Sequence, residues 1–142
     1  MGVTLLQSTF IAEHDLDIGN FRCYRNFVVG RIREGAQIRL DNAIPVMAIG
    51  IEYYNQDCPA VYLSDRRYSY SIDPTLHLEV EKLFPFLLGY GVVAYDDLNE
   101  RVARLEQRFV RCPSGIFRSM DQAFAWTHTL IEGIPRSRTG QR

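Results

Sequence analysis

The polar segment over residues 64–73 concentrates the side chains that could bind a ligand. Ser64, Asp65 and Arg66 directly follow a short apolar run, and two tyrosines come after them. Arg66 could hold a phosphate or carboxylate through two parallel hydrogen bonds, with Tyr68 or Tyr70 as a stacking wall. The alternative is structural, with Asp65 and Arg66 pairing with neighbouring groups and fixing the loop. Even the first alternative describes binding and not catalysis.

The end of the same segment could carry a covalent modification. A phosphate on Ser69 or Ser71 would be favoured by the free N–H groups and the dipole of a helix that begins nearby. Asp73 opposes such a phosphate by like-charge repulsion, which Arg66 and Arg67 could offset. The alternative is that Ser71 and Asp73 order the turn, and that Asp73 caps the helix.

Signatures of catalysis and of metal binding are poor. The three histidines stand at positions 14, 77 and 128, without the spacing of metal ligands. The chain has no GxSxG nucleophile motif and no Walker-type phosphate loop. His77 is expected on the exposed side of its helix. We therefore predict no enzyme, no catalytic residue, no metal site and no cofactor.

The composition is that of one globular domain. The chain has 142 residues, of which 46% are hydrophobic, and a formal net charge of −1. These values argue against intrinsic disorder, and the charge gives no reason to expect nucleic-acid binding. There is no run of about 18 apolar residues, so no membrane span is expected. The odd number of cysteines and the lack of a signal-peptide pattern predict a cytoplasmic protein.

The pattern of apolar residues alternates between strands and helices. Strands are expected at Thr4 to Ala12 and on either side of a tight turn at Arg25-Asn26. The complete order is an N-terminal β-hairpin followed by α-β-α-β-α-β-α. This order predicts an α/β fold, a mixed and mainly parallel sheet with helices packed on it. Ligands of such sheets bind beyond the carboxyl ends of the strands, where the segment over residues 64–73 is expected.

Capping residues and apolar periodicity predict where the helices begin and which faces they bury. Asp41 or Asn42, then Asp73 before Pro74, then Asp96 or Asp97, and finally Ser119 are the expected caps. The expected buried faces are Ile44, Met47, Ala48, Ile51 and Tyr54 in the first helix, Leu98, Val102, Leu105 and Phe109 in the third, and Ala123, Phe124, Thr127, Leu130 and Ile131 in the last. Residues 1–133 are expected to form the domain, and residues 134–142 a flexible basic tail.

The motif Tyr62-Leu63-Ser64-Asp65-Arg66, followed by Tyr68-Ser69-Tyr70-Ser71-Ile72-Asp73-Pro74, resembles the signature of small bacterial STAS/SEC14 proteins. Gly19-Asn20-Phe21 and Asn26-Phe27-Val28-Val29 also resemble that group. The resemblance covers roughly residues 13 to 131. It implies the STAS-like fold of anti-sigma-factor antagonists.

The resemblance also implies a function. Regulatory STAS proteins are phosphorylated by a partner kinase on a serine at the start of a helix, and Ser71, with Ser69 close by, is the best match. The implied function is a non-enzymatic regulatory or protein-interaction module, with a kinase, phosphatase or regulator as its partner. The alternative is a domain that binds a small molecule: a nucleotide, an anionic metabolite or a lipid. Two copies could also pair through an exposed hairpin edge.

Aromatic residues are numerous, with eight Tyr, eight Phe and one Trp. Tyr53, Tyr54, Tyr68, Tyr70 and Tyr90 could line an apolar pocket or a partner surface. Ordinary core packing is the competing interpretation, because a domain of this size has little room for a cavity of several hundred Å3.

Overall fold

Residues 10–134 are the part of the chain that the computed structural model describes, and they form an α/β fold. The strands are β1 (Phe10–Leu16), β2 (Gly19–Tyr24), β3 (Phe27–Ile32), β4 (Gln37–Ile38), β5 (Ala60–Arg66), β6 (Ser71–Ile72), β7 (Leu87–Ala94) and β8 (Ser114–Phe117). The helices are α1 (Leu40–Tyr53), α2 (Leu76–Leu83), α3 (Asp97–Gln107) and α4 (Met120–Glu132).

The central sheet is mixed, with the strand order β1-β2-β3-β5-β7-β8. Strands β1, β2 and β3 are antiparallel, and the pairings β3–β5, β5–β7 and β7–β8 are parallel. Tyr24 pairs with Phe27, so the tight turn predicted at Arg25-Asn26 is confirmed. The short strands β4 and β6 form a separate parallel pair. The prediction of a mixed, mainly parallel α/β sheet is therefore confirmed.

The N-terminal strands differ in detail from the prediction. Most of the strand expected at Thr4 to Ala12 lies outside the described residues, and β1 runs on to Leu16. Gly19 is the first residue of β2. A Cβ atom at Gly19 would lie 2.3 Å from the carbonyl oxygen of Arg31, so only glycine allows this close backbone approach. The result is three antiparallel strands with β1 at the edge of the sheet.

Helices cover both faces of the sheet. On one face, α1 and α2 pack against Phe21 and Ile32, and Ala103 of α3 packs against Val92 and Ala94 of β7. On the other face, α4 packs its Ala123 and Phe124 against buried strand residues, which are Phe27, Val61, Leu63 and Val93. A buried ion pair and a cavity lie on the face of the sheet that α1, α2 and α3 cover.

The buried face of α1 agrees only in part with the prediction. Ile44 and Ile51 are 56% and 64% exposed, whereas Ala43, Met47 and Ile49 are buried. The helix packs closely on its neighbours through small residues, as at Gly50, where a Cβ atom would lie 2.8 Å from the ring of Phe84. The periodicity of large apolar residues was therefore right for Met47 and Tyr54, which are buried, and wrong for Ile44, Ala48 and Ile51, which are exposed.

The start of α1 also differs from the prediction. Its N-cap residue is Arg39, and neither Asp41 nor Asn42 holds that position. The side chain of Asn42 instead accepts a hydrogen bond from the Arg39 N–H at 2.8 Å, reaching back over the first turn. The helix consequently begins two residues earlier than expected, at Leu40.

The buried face of α3 also differs from the prediction. Its cap is as predicted, since the Asp96 side chain accepts a hydrogen bond from the Asn99 N–H at 2.8 Å. However, Leu98 and Leu105 are 58% and 54% exposed, and the buried residues are Asn99, Ala103 and Glu106. Helix α3 is rotated in this way because Glu106 has a charged partner inside the protein.

Of the other two predicted caps, Ser119 is confirmed and Asp73 is wrong. Ser119 caps α4 by accepting a hydrogen bond from the Gln122 N–H, and Ala123, Phe124 and Thr127 are buried as expected. Asp73 does not cap α2, which begins three residues later at Leu76. Asp73 accepts hydrogen bonds from the N–H and the hydroxyl of Thr75, at 3.1 and 2.7 Å, and so fixes the turn before the helix.

Candidate functional site

Strand β5 carries the first residues of the candidate site. Ser64, Asp65 and Arg66 were expected in a loop, but they are the last three residues of β5. The strand continues because β7 extends beside it, with Arg66 opposite Ala94. Because side chains alternate along a strand, Tyr62, Ser64 and Arg66 lie on one face of the sheet. Asp65 lies on the opposite face.

Arg66 is buried and forms an ion pair with a residue that the sequence did not indicate. Its exposed fraction is 2%, and its Nη2 donates a hydrogen bond to Glu106 Oε1 at 2.8 Å. Glu106 Oε2 lies 2.5 Å from Arg66 Nη1. Apart from this ionic contact, Oε2 has no hydrogen-bond partner among the described residues. The arginine predicted to hold a ligand thus holds a carboxylate of its own chain.

Four further side chains complete this buried polar cluster. Glu106 Oε1 also accepts from His77 Nε2 and from the Tyr90 hydroxyl, each at 2.9 Å. Arg66 Nε donates to Ser64 Oγ at 3.1 Å. The hydroxyls of Ser64 and Tyr70 are 3.0 Å apart, and the Arg66 guanidinium stands 4.9 Å from the centre of the Tyr70 ring. We call Ser64, Arg66, Tyr70, His77, Tyr90 and Glu106 the polar cluster.

The charges of the polar cluster are stabilised by one another. Burial raises the pKa of the Glu106 carboxyl, but hydrogen bonds from His77 and Arg66, together with the Arg66 charge, lower it more, to about 2. Burial lowers the pKa of the Arg66 guanidinium, but Tyr90, Tyr70 and Glu106 raise it above its ordinary value. Burial also raises the pKa of the Tyr70 and Tyr90 hydroxyls. The cluster is therefore an ionised arginine–glutamate pair among neutral phenols.

Asp65 belongs to a separate group on the opposite face of the sheet. Its carboxylate is buried and accepts hydrogen bonds from Arg31 Nη2 at 3.0 Å and from Arg67 Nε at 3.3 Å. The Tyr95 hydroxyl donates to the other carboxylate oxygen at 2.8 Å. Burial and the hydrogen bond to Asp65 raise the pKa of Tyr95 to about 12. The sheet thus separates Asp65 from Arg66, which the sequence placed in one site.

The remaining predicted site residues lie at the surface. Tyr68 is 46% exposed, and Ser69, Ser71 and Asp73 are exposed. Ser69 donates its backbone N–H to Glu34 Oε1 at 2.9 Å. Ser71 is in β6, where its N–H donates to the Ala36 carbonyl, and not at the start of a helix as expected. The two serines are accessible, but neither stands at a helix N-terminus.

A cavity of about 160 Å3 lies beside the polar cluster, between the sheet and helices α1 and α2. Most of its lining is apolar, with residues such as Ile38, Met47 and Leu76. The polar side chains of the lining include those of Tyr62, Tyr70, His77, Glu81 and Tyr90. An apolar space with a few polar groups is the usual form of a small-molecule site.

Tyr62 is the phenol of this lining that has no partner. Its ring stacks on the Tyr90 ring, with centroids 5.9 Å apart and planes at 12°. Its hydroxyl lies over Gly30, where a Cβ atom would be only 2.1 Å from the oxygen. Burial raises the pKa of this hydroxyl, so it is neutral. Within residues 10–134, no group hydrogen-bonds to Tyr62 Oη, in contrast to the hydroxyls of Tyr70 and Tyr90.

Sequence reasoning missed Glu106 and misplaced His77. Glu106 follows Leu105 in a helix whose leucines suggested another buried face, and the chain has 17 acidic residues that could pair with Arg66. His77 was expected to be exposed, but it is buried and bonded to Glu106. The one available signal was Arg66 itself, since a charge at the end of an apolar strand requires a buried partner. Tyr90 was correctly considered as a pocket residue.

In residues 10–134, no three His, Cys, Asp or Glu side chains are grouped so that they could hold a metal ion. No helix in the same range has the length and apolar character needed to cross a membrane. The chain matches no protein-family model, no curated protein and no solved structure.

Proposed function

We propose that this protein binds a small apolar molecule in the cavity between the sheet and helices α1 and α2. The observation that carries the proposal is the cavity itself, about 160 Å3 of space with a mostly apolar lining. Protein interiors are close-packed, and voids larger than a water molecule are few. An open space of this size costs stability through the contacts that its lining loses, and a bound molecule would restore those contacts.

The size of the cavity limits the guest. An apolar cavity of about 150 Å3 in another protein stays free of water and binds benzene. The cavity here is of the same scale, so it suits a guest of one ring or a short branched chain. A nucleotide or a long acyl chain is too large. The cavity therefore suits a small apolar compound better than the nucleotide or lipid expected from the sequence.

The polar cluster argues against an anionic ligand. Arg66 was the residue expected to bind a phosphate or carboxylate, but its guanidinium is already bonded to Glu106, Ser64 and Tyr90. A second anion beside Glu106 would bring an uncompensated negative charge into the protein interior, at a large cost in free energy. The proposed role is binding and not catalysis, with the cluster as the rigid wall of the site.

The STAS-like assignment remains part of the proposal. It is supported by the motif over residues 62–74 and by a mixed sheet in which antiparallel N-terminal strands precede parallel ones. The edge position of β1 is compatible with pairing of two copies, which stays a prediction. A small-molecule site would give such a domain an input that alters its interaction with a protein partner.

Binding is tested by thermal unfolding with and without toluene. We expect the melting temperature to rise with toluene concentration, because a ligand that binds only the folded state stabilises it by mass action. Ala43→Leu extends a side chain from the cavity lining into the open space, and the rise should then be lost. Ala48→Leu is the matched control, since Ala48 is exposed on the same helix. An equal rise in Ala43→Leu and in the wild type would contradict the proposal.

A serine switch is a second candidate function, which the exposure of Ser69 and Ser71 favours. A kinase needs access to the hydroxyl, and both serines are on the surface beside the exposed Arg67. Mass spectrometry with peptide mapping on protein isolated from its own host is expected to find a phosphate on one of them. Unmodified peptides under all growth conditions would contradict this function.

A further inference from the structure

The Tyr62 hydroxyl is the starting point for the chemistry of the ligand, an inference that rests on the proposed function. Tyr62 is partly buried, and a phenol oxygen that faces a cavity can donate and accept a hydrogen bond with a bound molecule. Tyr62 lines the cavity, and within residues 10–134 its hydroxyl has no hydrogen-bond partner. A ligand in the cavity could provide that partner.

The position of this hydroxyl is fixed by the backbone. Gly30 of β3 leaves the space that the phenol oxygen occupies, since a Cβ atom there would be 2.1 Å from it. The stacked ring of Tyr90 holds the Tyr62 ring from one side. Tyr90 is itself held by hydrogen bonds to Arg66 and Glu106. A positioned hydroxyl loses little conformational entropy when it binds, which is the condition for a selective contact.

The charges around the cavity determine the charge of the ligand. Arg66 and Glu106 neutralise each other directly behind Tyr90, so the polar cluster offers no free charge to a guest. A carboxylate group in the cavity would lose its hydration without a free cationic partner, and it would be repelled by Glu81, whose carboxylate also lines the cavity and accepts hydrogen bonds from the N–H groups of Arg111 and Cys112. A neutral hydroxyl or carbonyl oxygen has neither cost, and it can pair with a phenol that is both a donor and an acceptor.

We propose that the ligand is a neutral molecule of about one ring, with a single hydroxyl or carbonyl oxygen that hydrogen-bonds to Tyr62 Oη. A phenol is the simplest member of this class. The apolar part of the ligand fills the space near Ile38, Met47 and Leu76, and its oxygen is directed towards β5.

The test compares phenol, toluene and benzoate by calorimetric titration on the wild type and on Tyr62→Phe. The variant removes only the unpaired oxygen, so we expect it to fold. We expect it to weaken phenol binding about 3- to 10-fold, the loss of one neutral hydrogen bond, and to leave toluene binding unchanged. Tyr68→Phe removes an exposed hydroxyl and serves as the control. Benzoate should bind at least tenfold more weakly than phenol to the wild type.

Each outcome distinguishes this inference from the proposed function. If toluene binds and phenol binding is equal in the wild type and Tyr62→Phe, the hydrogen bond is wrong while the cavity remains a binding site. If benzoate binds more tightly than phenol, the inferred neutrality is wrong. If neither toluene nor phenol binds, the proposed function fails and this inference fails with it. Should Tyr62→Phe not fold, the comparison of phenol with benzoate on the wild type still decides the charge of the ligand.

Discussion

Replacing Glu106 by glutamine is expected to lower the free energy of unfolding by about 3–5 kcal/mol, the usual cost of removing one partner from a buried ion pair. Arg66 keeps its charge at every accessible pH, and in the variant it stays buried without a counter-ion. His77 and Tyr90 lose their bonds to the carboxylate as well. Chemical denaturation, followed by circular dichroism, measures the effect.

Two further variants show whether the charge is the cause. Glu79→Gln is the matched control, because Glu79 is an exposed partner of Lys82, and we expect a change of about 0.5 kcal/mol or less. The double variant Arg66→Met with Glu106→Leu removes both charges and should recover most of the lost stability. A Glu106→Gln protein as stable as the Glu79→Gln protein would show that the pair is not buried as described.

Acid is expected to destabilise the protein through the same carboxylate. The pKa of Glu106 is about 2 in the folded protein, against an ordinary value of 4.5. Because the folded pKa is the lower one, the stabilisation is fully present above pH 4.5 and is lost as the pH falls towards 2. A difference of this size corresponds to roughly 3 kcal/mol.

The pH effect is measured by denaturant unfolding at a series of pH values between 6 and 2. The pKa values of Asp97 and Glu100 are also lowered, by their contacts with Arg118 and, for Glu100, with Arg104, so the wild type must be compared with the Arg66→Met, Glu106→Leu double variant. We expect the wild type to lose more stability than the double variant over this interval. Parallel curves for the two proteins would exclude Glu106 as the origin of the acid sensitivity.

Local signals in the sequence predicted the elements of the fold well. The Arg25-Asn26 turn and the caps Asp96 and Ser119 depend on neighbouring residues only, and the structure confirms all three. The alternation of strands and helices is also a pattern of residues that are near one another in the sequence, and it predicted a mixed, mainly parallel sheet. Such features can be inferred from the sequence because no distant partner is needed to form them.

The complete buried faces of α1 and α3 and the polar cluster could not be predicted in this way. The leucines of α3 suggested burial of Leu98 and Leu105, but the contact of Glu106 with Arg66 turns a different face inward. That contact joins residues 40 positions apart, and only the packing of α3 against β7 and β8 brings them together. The cavity has the same origin, since it is formed by side chains of separate strands and helices.

The most direct test of the proposed binding function is a crystal structure of the protein under xenon pressure. Xenon enters apolar cavities that small guests can reach, and its many electrons mark its position. We predict a xenon site inside the cavity near Ile38, Met47 and Leu76, and no such site in the Ala43→Leu variant. A wild-type crystal without xenon there, or with those side chains closed over the space, would contradict the central claim that this cavity receives a ligand.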